Sequence, residues 1–322
     1  MRSGKMKLLI TESEDFSSLA ISNLKEKFEV EVADINNKVL LMDKLSDVGV
    51  LFVRLRFKID RKIIENAPQL KYILSATTGL DHVDVNYFEK RGGKIISLKG
   101  ETDFLSSIPS TAEHTWALLL SLIKKIPSSF THVKEGKWNR NLFKGNNLKG
   151  KKIGILGLGR VGKQVAQFAA IFEMEVGYFD ICNIKTPHQS FQTPEELFSW
   201  ADIVTIHIPY NAENENFVNK ELLSHAKIHS MLINTSRGGV WDENSVAQLL
   251  KQRKIKGVAV DVLEKELDGS TISSNPLVLL AKENYNVIIT PHIAGATYES
   301  MAMTEEYVAD KFINLFKKDP NH

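Results

Sequence analysis

The sequence Lys152-Ile-Gly-Ile-Leu-Gly-Leu-Gly-Arg-Val-Gly162 decides the fold of this chain. It joins a short apolar run, typical of a buried strand, to a helical pattern over 160–172 through glycines at positions 157, 159 and 162. The first glycine allows a tight turn, the second lets the backbone approach a pyrophosphate, and the third lets helix and strand pack closely. Free N–H groups at the start of the helix favour a bound anion. The stretch therefore predicts a dinucleotide-binding turn.

Asp180 supports the same interpretation from the end of the next apolar run, 23 residues after Gly157. A carboxylate at that position accepts hydrogen bonds from both ribose hydroxyls of an adenosine and repels a 2′-phosphate. No arginine follows it closely, so the sequence favours NAD over NADP. Without this context the three glycines would indicate only a structural turn beside a solvated aspartate.

Strand-like runs rich in Val and Ile alternate with helical patterns along the whole chain, which predicts parallel sheets covered on both faces. The first series of predicted strands lies at 6–10, 29–33, 48–53, 71–75 and 94–98. The second series lies at 152–156, 175–179, 202–206, 230–234, 256–260 and 286–290. Six strands of this kind are the number that a dinucleotide-binding sheet needs. We therefore expect an α/β protein with two doubly wound parallel-sheet domains.

Composition excludes several other classes of protein. The formal net charge is +2 and there is no basic tract, so neither a nucleic-acid partner nor a membrane partner is expected. Cys182 is the only cysteine, which excludes a disulfide framework and a cysteine zinc site, and no histidine spacing predicts a metal. No apolar run is long enough to span a bilayer, and the N-terminus lacks the apolar core of a signal peptide. These features predict a cytoplasmic protein.

The segment between the two series of strands predicts a linker helix. Ser110-Thr-Ala-Glu113, preceded by Pro109, has the pattern of a capping box. The helix that it opens is predicted to end near Ile126, before Pro127, with a second, polar helical segment near 128–136. The pattern at 297–318 predicts one amphipathic helix, which we expect to pack on the first domain.

Three polar residues that follow predicted strands suggest a site that reduces an anion. Arg237 has the planar geometry that matches a carboxylate, and His292 can donate or accept a proton near neutral pH. Glu266 follows Asp261 by five residues and can pair with that imidazole. Each also has a structural interpretation: a surface arginine beside a glycine turn, a capping histidine, and one acid among several in 264–268.

Several motifs in combination resemble the D-isomer-specific 2-hydroxyacid dehydrogenase family, over nearly the whole chain from Met6 to about Phe316. The motifs are TTGLDHVD (77–84), STAEHTWALLL (110–120), GKWNR (136–140), LKGKKIGILGLGRVG (148–162), HIPYNAEN (207–214), INTSRGGVWDE (233–243) and TPHIAGAT (290–297). The resemblance implies a Rossmann NAD-binding domain, 106–294, inserted in a flavodoxin-like substrate domain formed by 1–105 and 295–322. It also implies an NAD-dependent oxidoreductase that transfers hydride between the nicotinamide and C2 of a D-2-hydroxy acid, with the two domains closing over the substrate.

The resemblance also implies a role for individual residues. Arg237 would bind the substrate carboxylate and carbonyl, His292 would be the general acid-base, and Glu266 would support it. The substrate carboxylate would be held by the loop after the fourth predicted strand, with a nearby arginine: Thr77, Thr78, Gly79 and Arg54. The remaining implied residues would contact the cofactor: Thr111, Gly157, Gly159, Arg160, Val161, Gly162, Asp180, His207, Pro209, Thr235, Ser236, Asp261 and Gly295.

Two positions depart from the family pattern. Leu267 follows Glu266 where the family usually has proline, so Glu264 and Glu266 are both candidates for the partner of His292, with Glu266 favoured by its spacing from Asp261. Ser75 stands where phosphoglycerate dehydrogenases often carry an arginine for the substrate phosphate. Either Arg56 and Lys58 replace that arginine, or the substrate carries no phosphate. The chain is also expected to lack a C-terminal serine-sensing domain.

The branch within the family stays open between enzymes similar to phosphoglycerate dehydrogenase and enzymes similar to glyoxylate/hydroxypyruvate reductase. A different class, the NAD(H)-sensing corepressors of the same fold, is the main alternative, although no peptide-like extension supports it. Glu266 disfavours a formate dehydrogenase, where glutamine usually pairs with the histidine. A homodimer is implied through the linker helix and the loop around Trp138. The apolar run Trp116–Leu120 suits such an interface, although a helix in the core of one domain has the same pattern.

Overall fold

The computed structural model describes residues 5–267 and 271–318; residues 268–270, part of the charged stretch 264–268 and of the loop to Asn275, lie outside it. The chain divides into two compact units, one formed by residues 1–105 with 296–322 and the other by residues 106–295. Each contains one parallel sheet. Among the described residues, no helix is both long enough and apolar enough to cross a membrane.

The first unit is built on five parallel strands in the order β2-β1-β3-β4-β5. These are β1 (Lys7–Ile10), β2 (Glu29–Val32), β3 (Val50–Val53), β4 (Tyr72–Ser75) and β5 (Lys94–Ser97). The order is that of flavodoxin-like sheets. The helices are α1 (Ser18–Lys27), α2 (Lys38–Lys44), α3 (Arg61–Glu65), α4 (Val85–Lys90) and α5 (Thr102–Ser106), the last of which crosses the boundary between the units.

Polar caps fix where the helices of this unit begin. The side chains of Ser17, Asn37, Asp60 and Asp84 each accept a hydrogen bond from a backbone N–H in the first turn of α1 to α4. Such caps satisfy donors that a helix leaves without partners.

The second unit contains seven parallel strands in the order β12-β11-β10-β9-β6-β7-β8, which is a Rossmann order with one additional strand. The strands are β6 (Lys152–Leu156), β7 (Glu175–Phe179), β8 (Gln189–Ser190), β9 (Ile203–Ile206), β10 (Ser230–Asn234), β11 (Ile255–Val260) and β12 (Val287–Ile289). The helices are α6 (Ser110–Ile123), α7 (Ile126–Lys134), α8 (Arg160–Ile171), α9 (Pro194–Trp200), α10 (Lys220–Ser224), α11 (Glu243–Lys251) and α12 (Pro276–Lys282). Short 3-10 turns lie at Arg140–Phe143, Gly238–Val240 and Ile272–Ser274.

Two apolar cores cover the faces of the second sheet. Helices α9 to α12 contribute to one core, while α6 and α8 contribute to the other. Trp116, Leu118 and Leu119 of α6 are buried in the second core. Of the two interpretations of the run Trp116–Leu120, the core helix therefore holds for these three side chains, because they pack within their own unit.

The predicted start and end of the linker helix are also wrong. Pro109, rather than Ser110, is the N-cap of α6, and no side chain caps the helix. Ser110 is already helical and buried, so its hydroxyl is not in the position of a capping group. At the other end α6 stops at Ile123, and Pro127 lies in the first turn of α7, where a proline costs no helical hydrogen bond.

The final helix, α13 (Tyr298–Lys318), belongs to the first unit. Phe312 of α13 stacks on Phe28 at a ring-centroid distance of 4.9 Å and contacts Tyr72 of β4 at 5.0 Å. Aromatic packing therefore joins the end of the chain to the strands formed by its beginning.

Candidate active site

The carboxyl ends of parallel strands meet at one edge of a sheet, and in the second unit the predicted site residues follow these ends. Gly157 follows β6, Asp180 follows β7, His207 follows β9, Thr235 follows β10 and Asp261 follows β11. The turn after β12 carries His292. The sheet topology therefore brings residues that are far apart in sequence to one edge.

Steric limits explain two of the three glycines in the turn after β6. Gly157 has φ +92°, a conformation that other residues rarely adopt, and its N–H donates to the carbonyl of Phe179 at 2.9 Å. A Cβ on Gly162 would lie closer than 3.0 Å to the carbonyl oxygen of Gly157. At Gly159, the N-cap of α8, a Cβ would meet no atom within 4 Å. The space beside the Cα of Gly159, at the start of α8, is therefore open.

Asp180 connects the glycine turn after β6 to the end of β7 by hydrogen bonds. Its Oδ2 accepts a hydrogen bond from the N–H of Leu158 at 2.8 Å, and its Oδ1 accepts one from the N–H of Cys182 at 2.8 Å. An ionised carboxylate has about four acceptor positions, so these two bonds leave capacity for hydroxyl donors.

Burial lowers the pKa of Arg160 on the neighbouring first turn of α8, yet a guanidinium remains charged in proteins.

His207 is a neutral residue at this edge. Burial lowers the pKa of its imidazole from 6.5 to about 3, and its Nε2 lies 2.8 Å from the hydroxyl of Thr205. Because the ring carries no charge at neutral pH, it contributes shape and hydrogen bonding rather than a positive charge. Pro209, two residues later, is exposed.

Arg237 lies in a turn that Asn234 organises. The Oδ1 of Asn234 accepts hydrogen bonds from the N–H and hydroxyl of Ser236 at 3.0 and 2.8 Å, while its Nδ2 donates to the carbonyl of Arg237 at 3.0 Å. The Arg237 side chain is half-buried, and its Nη1 donates to the carbonyl of Ser236 at 2.8 Å. Sequence reasoning missed Asn234, although an asparagine at a strand end with serine two residues later is a typical Asx turn.

Gly238 allows the turn that contains Arg237 (the arginine turn) to pack closely against the loop that carries Glu266. A Cβ at this position would lie closer than 3.0 Å to backbone atoms of Leu263 and Glu264. Only glycine allows this approach. The turn after β10 and the loop after β11 are therefore packed backbone to backbone.

Glu266 and His292 form a hydrogen-bonded pair between Oε1 and Nδ1. The other carboxylate oxygen of Glu266 accepts the N–H of Leu263 at 3.0 Å, which orients the carboxyl group. Glu264 instead contacts Lys265 at 3.0 Å, so the structure pairs Glu266 and not Glu264 with the imidazole. Nδ1 of His292 is engaged by Glu266, while Nε2 makes no hydrogen bond to any residue that the structure describes.

Asp261 is buried, with 1% of its surface exposed, and it holds the turn that contains His292. Its carboxylate accepts the N–H groups of Ile293 at 2.9 Å and Ala294 at 2.8 Å and the hydroxyl of Thr290 at 2.5 Å. His114 of α6 lies 3.3 Å from the same carboxylate. These contacts are internal to the protein, so the cofactor contact predicted for Asp261 stays a prediction.

The remaining predicted cofactor residues of this unit lie near α6 or beside the turns. The hydroxyl of Thr235 lies 2.8 Å from that of Thr115, which donates to the carbonyl of Thr111 at 2.7 Å. Val161 is half-buried at the start of α8, and a Cβ on Gly295 would meet no atom within 4 Å. In residues 5–267 and 271–318, no group of three or more His, Cys, Asp or Glu is placed to hold a metal ion.

In the first unit, the predicted substrate loop follows β4. The hydroxyl of Thr77 donates to the carbonyl of Gly79 at 2.8 Å and lies 2.8 Å from that of Ser75. Ser75 is fully buried and lies 3.2 Å from Nε2 of His82. Thr78 is exposed. The side chain of Ser75 therefore belongs to the interior of the loop rather than to its surface.

The two arginines after β3 are ion-paired. Nη2 and Nε of Arg54 lie 2.6 and 2.8 Å from Oε1 of Glu305, a carboxyl group that is 1% exposed. Arg56 pairs with Asp34 and donates to the carbonyl of Ile35 at 2.9 Å. The substrate contact predicted for Arg54 stays a prediction, because its guanidinium is bound to a carboxylate of its own unit.

Comparison with known proteins identifies the family. Residues 116–294 match the family model described as D-isomer specific 2-hydroxyacid dehydrogenase, NAD binding domain. The chain is 35% identical to a D-3-phosphoglycerate dehydrogenase of Methanocaldococcus jannaschii over 319 residues, which are 97% of this chain and 58% of that protein. This chain belongs to the D-isomer-specific 2-hydroxyacid dehydrogenase family. It thus spans little more than half the length of the phosphoglycerate dehydrogenases that it matches.

Two other proteins are similar to this chain over most of their own length. A glyoxylate reductase of Pyrococcus furiosus is 32% identical over 312 residues, covering 92% of this chain and 89% of that protein. The crystal structure of a D-lactate dehydrogenase from Aquifex aeolicus, complexed with NAD and lactic acid, is 25% identical with a TM-score of 0.83, covering 97% of this chain and 96% of that chain. The predicted family, the fold class of two parallel-sheet domains and the NAD cofactor are confirmed.

Proposed function

We propose that this chain catalyses the NAD(H)-dependent interconversion of a 2-oxo acid and a D-2-hydroxy acid. The observation that carries the proposal is the Glu266–His292 pair at the same edge of the NAD-binding sheet as Arg237. These three groups are what such a reaction requires: an anion-binding guanidinium, a proton donor and a carboxylate that orients it.

The residues present fit NAD. The open space at Gly159 suits the pyrophosphate, and Asp180 has acceptor capacity for two ribose hydroxyls. The first turn of α8, with Arg160 and Val161, would follow the phosphates. The negative charge of Asp180 disfavours the 2′-phosphate of NADP. When bound, the reduced cofactor supplies the hydride that converts a carbonyl carbon to a carbinol carbon.

The protein supplies orientation, charge and the proton. The planar guanidinium of Arg237 binds the substrate carboxylate and stabilises the charge that develops on the carbonyl oxygen. His292 delivers a proton from Nε2 to that oxygen, because its Nδ1 is held by Glu266. The carboxylate of Glu266 stabilises the charged imidazolium and fixes the direction of Nε2.

Within the family, we propose a small substrate without phosphate, similar to glyoxylate or hydroxypyruvate. Arg54 and Arg56 are already paired with Glu305 and Asp34, and Ser75 is fully buried where phosphoglycerate dehydrogenases often carry arginine. A dianionic phosphate would therefore have to displace existing ion pairs.

The test is oxidation of NADH by the purified protein in the presence of glyoxylate, hydroxypyruvate, pyruvate and phosphohydroxypyruvate. We expect kcat/KM to be highest for an unphosphorylated acid, and we expect Arg237→Ala to lose about 100-fold or more in kcat while its Kd for NADH is unchanged. Arg237→Lys is the matched control, since it keeps the charge without the planar geometry, and it should recover only part of the loss.

Each outcome has a distinct meaning. Strong preference for phosphohydroxypyruvate would overturn the substrate class but not the reaction. Tight NADH binding without turnover of any 2-oxo acid would overturn the enzymatic function and favour an NAD(H)-sensing protein.

We also propose that the chain forms a homodimer through an exposed apolar patch. The patch consists of Ile126, Phe130 and Val133 of α7 with Trp138 and Leu142 in the segment that follows, and Trp138 is 88% exposed. The three residues of α7 have the spacing of one helix face. Light scattering should give twice the mass of one chain, and Phe130→Glu with Trp138→Glu should give monomers; a monomeric wild-type protein would refute the dimer.

A further inference from the structure

A hydrogen-bonded cluster joins α6 to the turn that carries His292. Nε2 of His114 lies 2.9 Å from the hydroxyl oxygen of Thr290 and 3.3 Å from Oδ1 of Asp261. Thr290 in turn donates its hydroxyl to Asp261 at 2.5 Å. Since that hydroxyl proton is used toward Asp261, Nε2 of His114 is the donor toward Thr290.

Asp261 connects this cluster to the turn by accepting hydrogen bonds from three successive backbone N–H groups. Its carbonyl accepts the N–H of His292 at 2.8 Å, and its carboxylate accepts those of Ile293 and Ala294. His292 has φ +56°, in the left-handed region that is unfavourable for a residue with a Cβ. A conformation of this kind persists only where the surroundings fix it by several contacts.

The charge state of Asp261 agrees with this geometry. Burial by itself raises the pKa of its carboxyl group, but the hydrogen bonds from His114, Thr290, Ala294 and Ile293 outweigh that effect and lower the pKa. The carboxylate is therefore ionised, and all four donors contribute to keeping it so.

We infer that His114 is a positioning residue, which fixes the turn at 290–294 through Thr290 and Asp261 and thereby places Nε2 of His292. The inference rests on the proposed function only in giving His292 its role in proton transfer. Neither His114 nor Thr290 is required to touch substrate or cofactor. A displacement of about 1 Å at a reacting group can reduce a rate about 100-fold, so loss of the cluster is expected to lower kcat.

The experiment compares His114→Leu with His114→Gln, whose amide nitrogen lies the same number of bonds from Cβ as Nε2 of histidine. Leu119→Ala is the control for general destabilisation, because Leu119 is buried in the same helix but belongs to the apolar core. We expect His114→Leu to lower kcat about tenfold or more with the Kd for NADH unchanged, and His114→Gln to restore most of it. Leu119→Ala should lower the unfolding temperature without lowering kcat.

Hydrogen exchange of the amides of Ile293 and Ala294 provides a readout that does not depend on turnover. Their exchange should be about tenfold faster in His114→Leu and close to wild type in His114→Gln and Leu119→Ala. If His114→Leu does not fold, Thr290→Val takes its place, with Thr290→Ser as the variant that keeps the hydroxyl.

The outcomes separate the two proposals. If the protein does not turn over any 2-oxo acid but the amide exchange rates of the variants change as expected, the proposed function is refuted and the positioning role of His114 is supported. Wild-type exchange and wild-type kcat in the Leu variant, or equal losses in the Leu and Gln variants, would overturn the role of His114.

Discussion

His207 offers a quantitative test of the electrostatics at the edge of the NAD-binding sheet. Burial lowers the pKa of its imidazole from 6.5 to about 3 in the folded protein. Between these two pH values the unfolded chain binds a proton at this position and the folded chain does not. The stabilisation is therefore complete above pH 6.5 and is lost progressively as the pH falls toward 3.

The size of the effect follows from this difference. In that window the free energy of unfolding falls by about 1.4 kcal/mol for each pH unit, which amounts to about 2 kcal/mol between pH 7.5 and pH 5.0. His207→Gln removes the titration but keeps a hydrogen-bonding atom at the position of Nε2, 2.8 Å from the Thr205 hydroxyl. The variant should therefore lose about 2 kcal/mol less than the wild type over the same pH interval.

The assay is urea unfolding at the two pH values, followed by tryptophan fluorescence. All four tryptophans lie within residues 106–295, so the signal reports on the unit that contains His207. An equal loss of stability in wild type and variant would refute the reasoning. So would an imidazole NMR signal of His207 that titrates between pH 6 and 7 in the folded protein.

Three further predictions test other parts of the molecule. Asp180→Arg should raise the Kd for NADH about tenfold or more and lower that for NADPH, as measured by fluorescence titration; an unchanged ratio would remove Asp180 from the ribose site. Gly238→Ala should force the arginine turn away from the backbone of Glu264 and lower kcat about tenfold or more in the NADH assay, so wild-type kcat would show that this packing is dispensable. Glu305→Ala should destabilise the protein by about 3–5 kcal/mol in calorimetry, because it leaves the guanidinium of Arg54, whose side chain is 15% exposed, without its carboxylate, and a loss below about 1 kcal/mol would contradict that account.

Much of the fold was predictable because strands in buried parallel sheets are continuous apolar runs. All eleven predicted strands correspond to observed ones. The strand that was missed, β8, consists of Gln189 and Ser190 at the edge of the sheet, where two polar residues give no such signal. The capping box failed because Pro109 takes the N-cap position and leaves Ser110 inside the helix.

The candidate site was predictable in its residue types but not in its pairings. Sequence spacing favoured Glu266 over Glu264 as the partner of His292 but left both open, since a loop of unknown conformation can present either carboxylate. The contacts that hold the site come from still farther away: His114 and Thr290 are 176 residues apart in sequence. A local pattern has no information on such contacts, because they arise only when the sheet is assembled.

The loops that carry Glu266 and His292, to which we assign the proton transfer, are each held by a buried carboxylate. The pKa values of these two carboxyl groups shift in opposite directions. Asp261 holds the turn of His292; burial raises the pKa of its carboxyl group, but the hydrogen bonds that it accepts outweigh burial and lower the pKa. Glu243 holds the loop of Glu266 by accepting the N–H of Glu264 at 2.8 Å and the amide of Asn275, and burial raises its pKa.

Both carboxylates are almost fully buried, so depth alone does not explain the opposite directions of the two pKa shifts. Asp261 has four donors, whereas Glu243 has two donors and two neighbouring acids, Glu264 and Glu266, that raise its pKa further. Hydrogen bonds to the ionised form lower the pKa and so oppose the effect of burial. The carboxylate with more hydrogen-bond donors, Asp261, is therefore the one that holds the turn of His292. We assign the proton transfer to His292, and its backbone conformation is one that several contacts must fix.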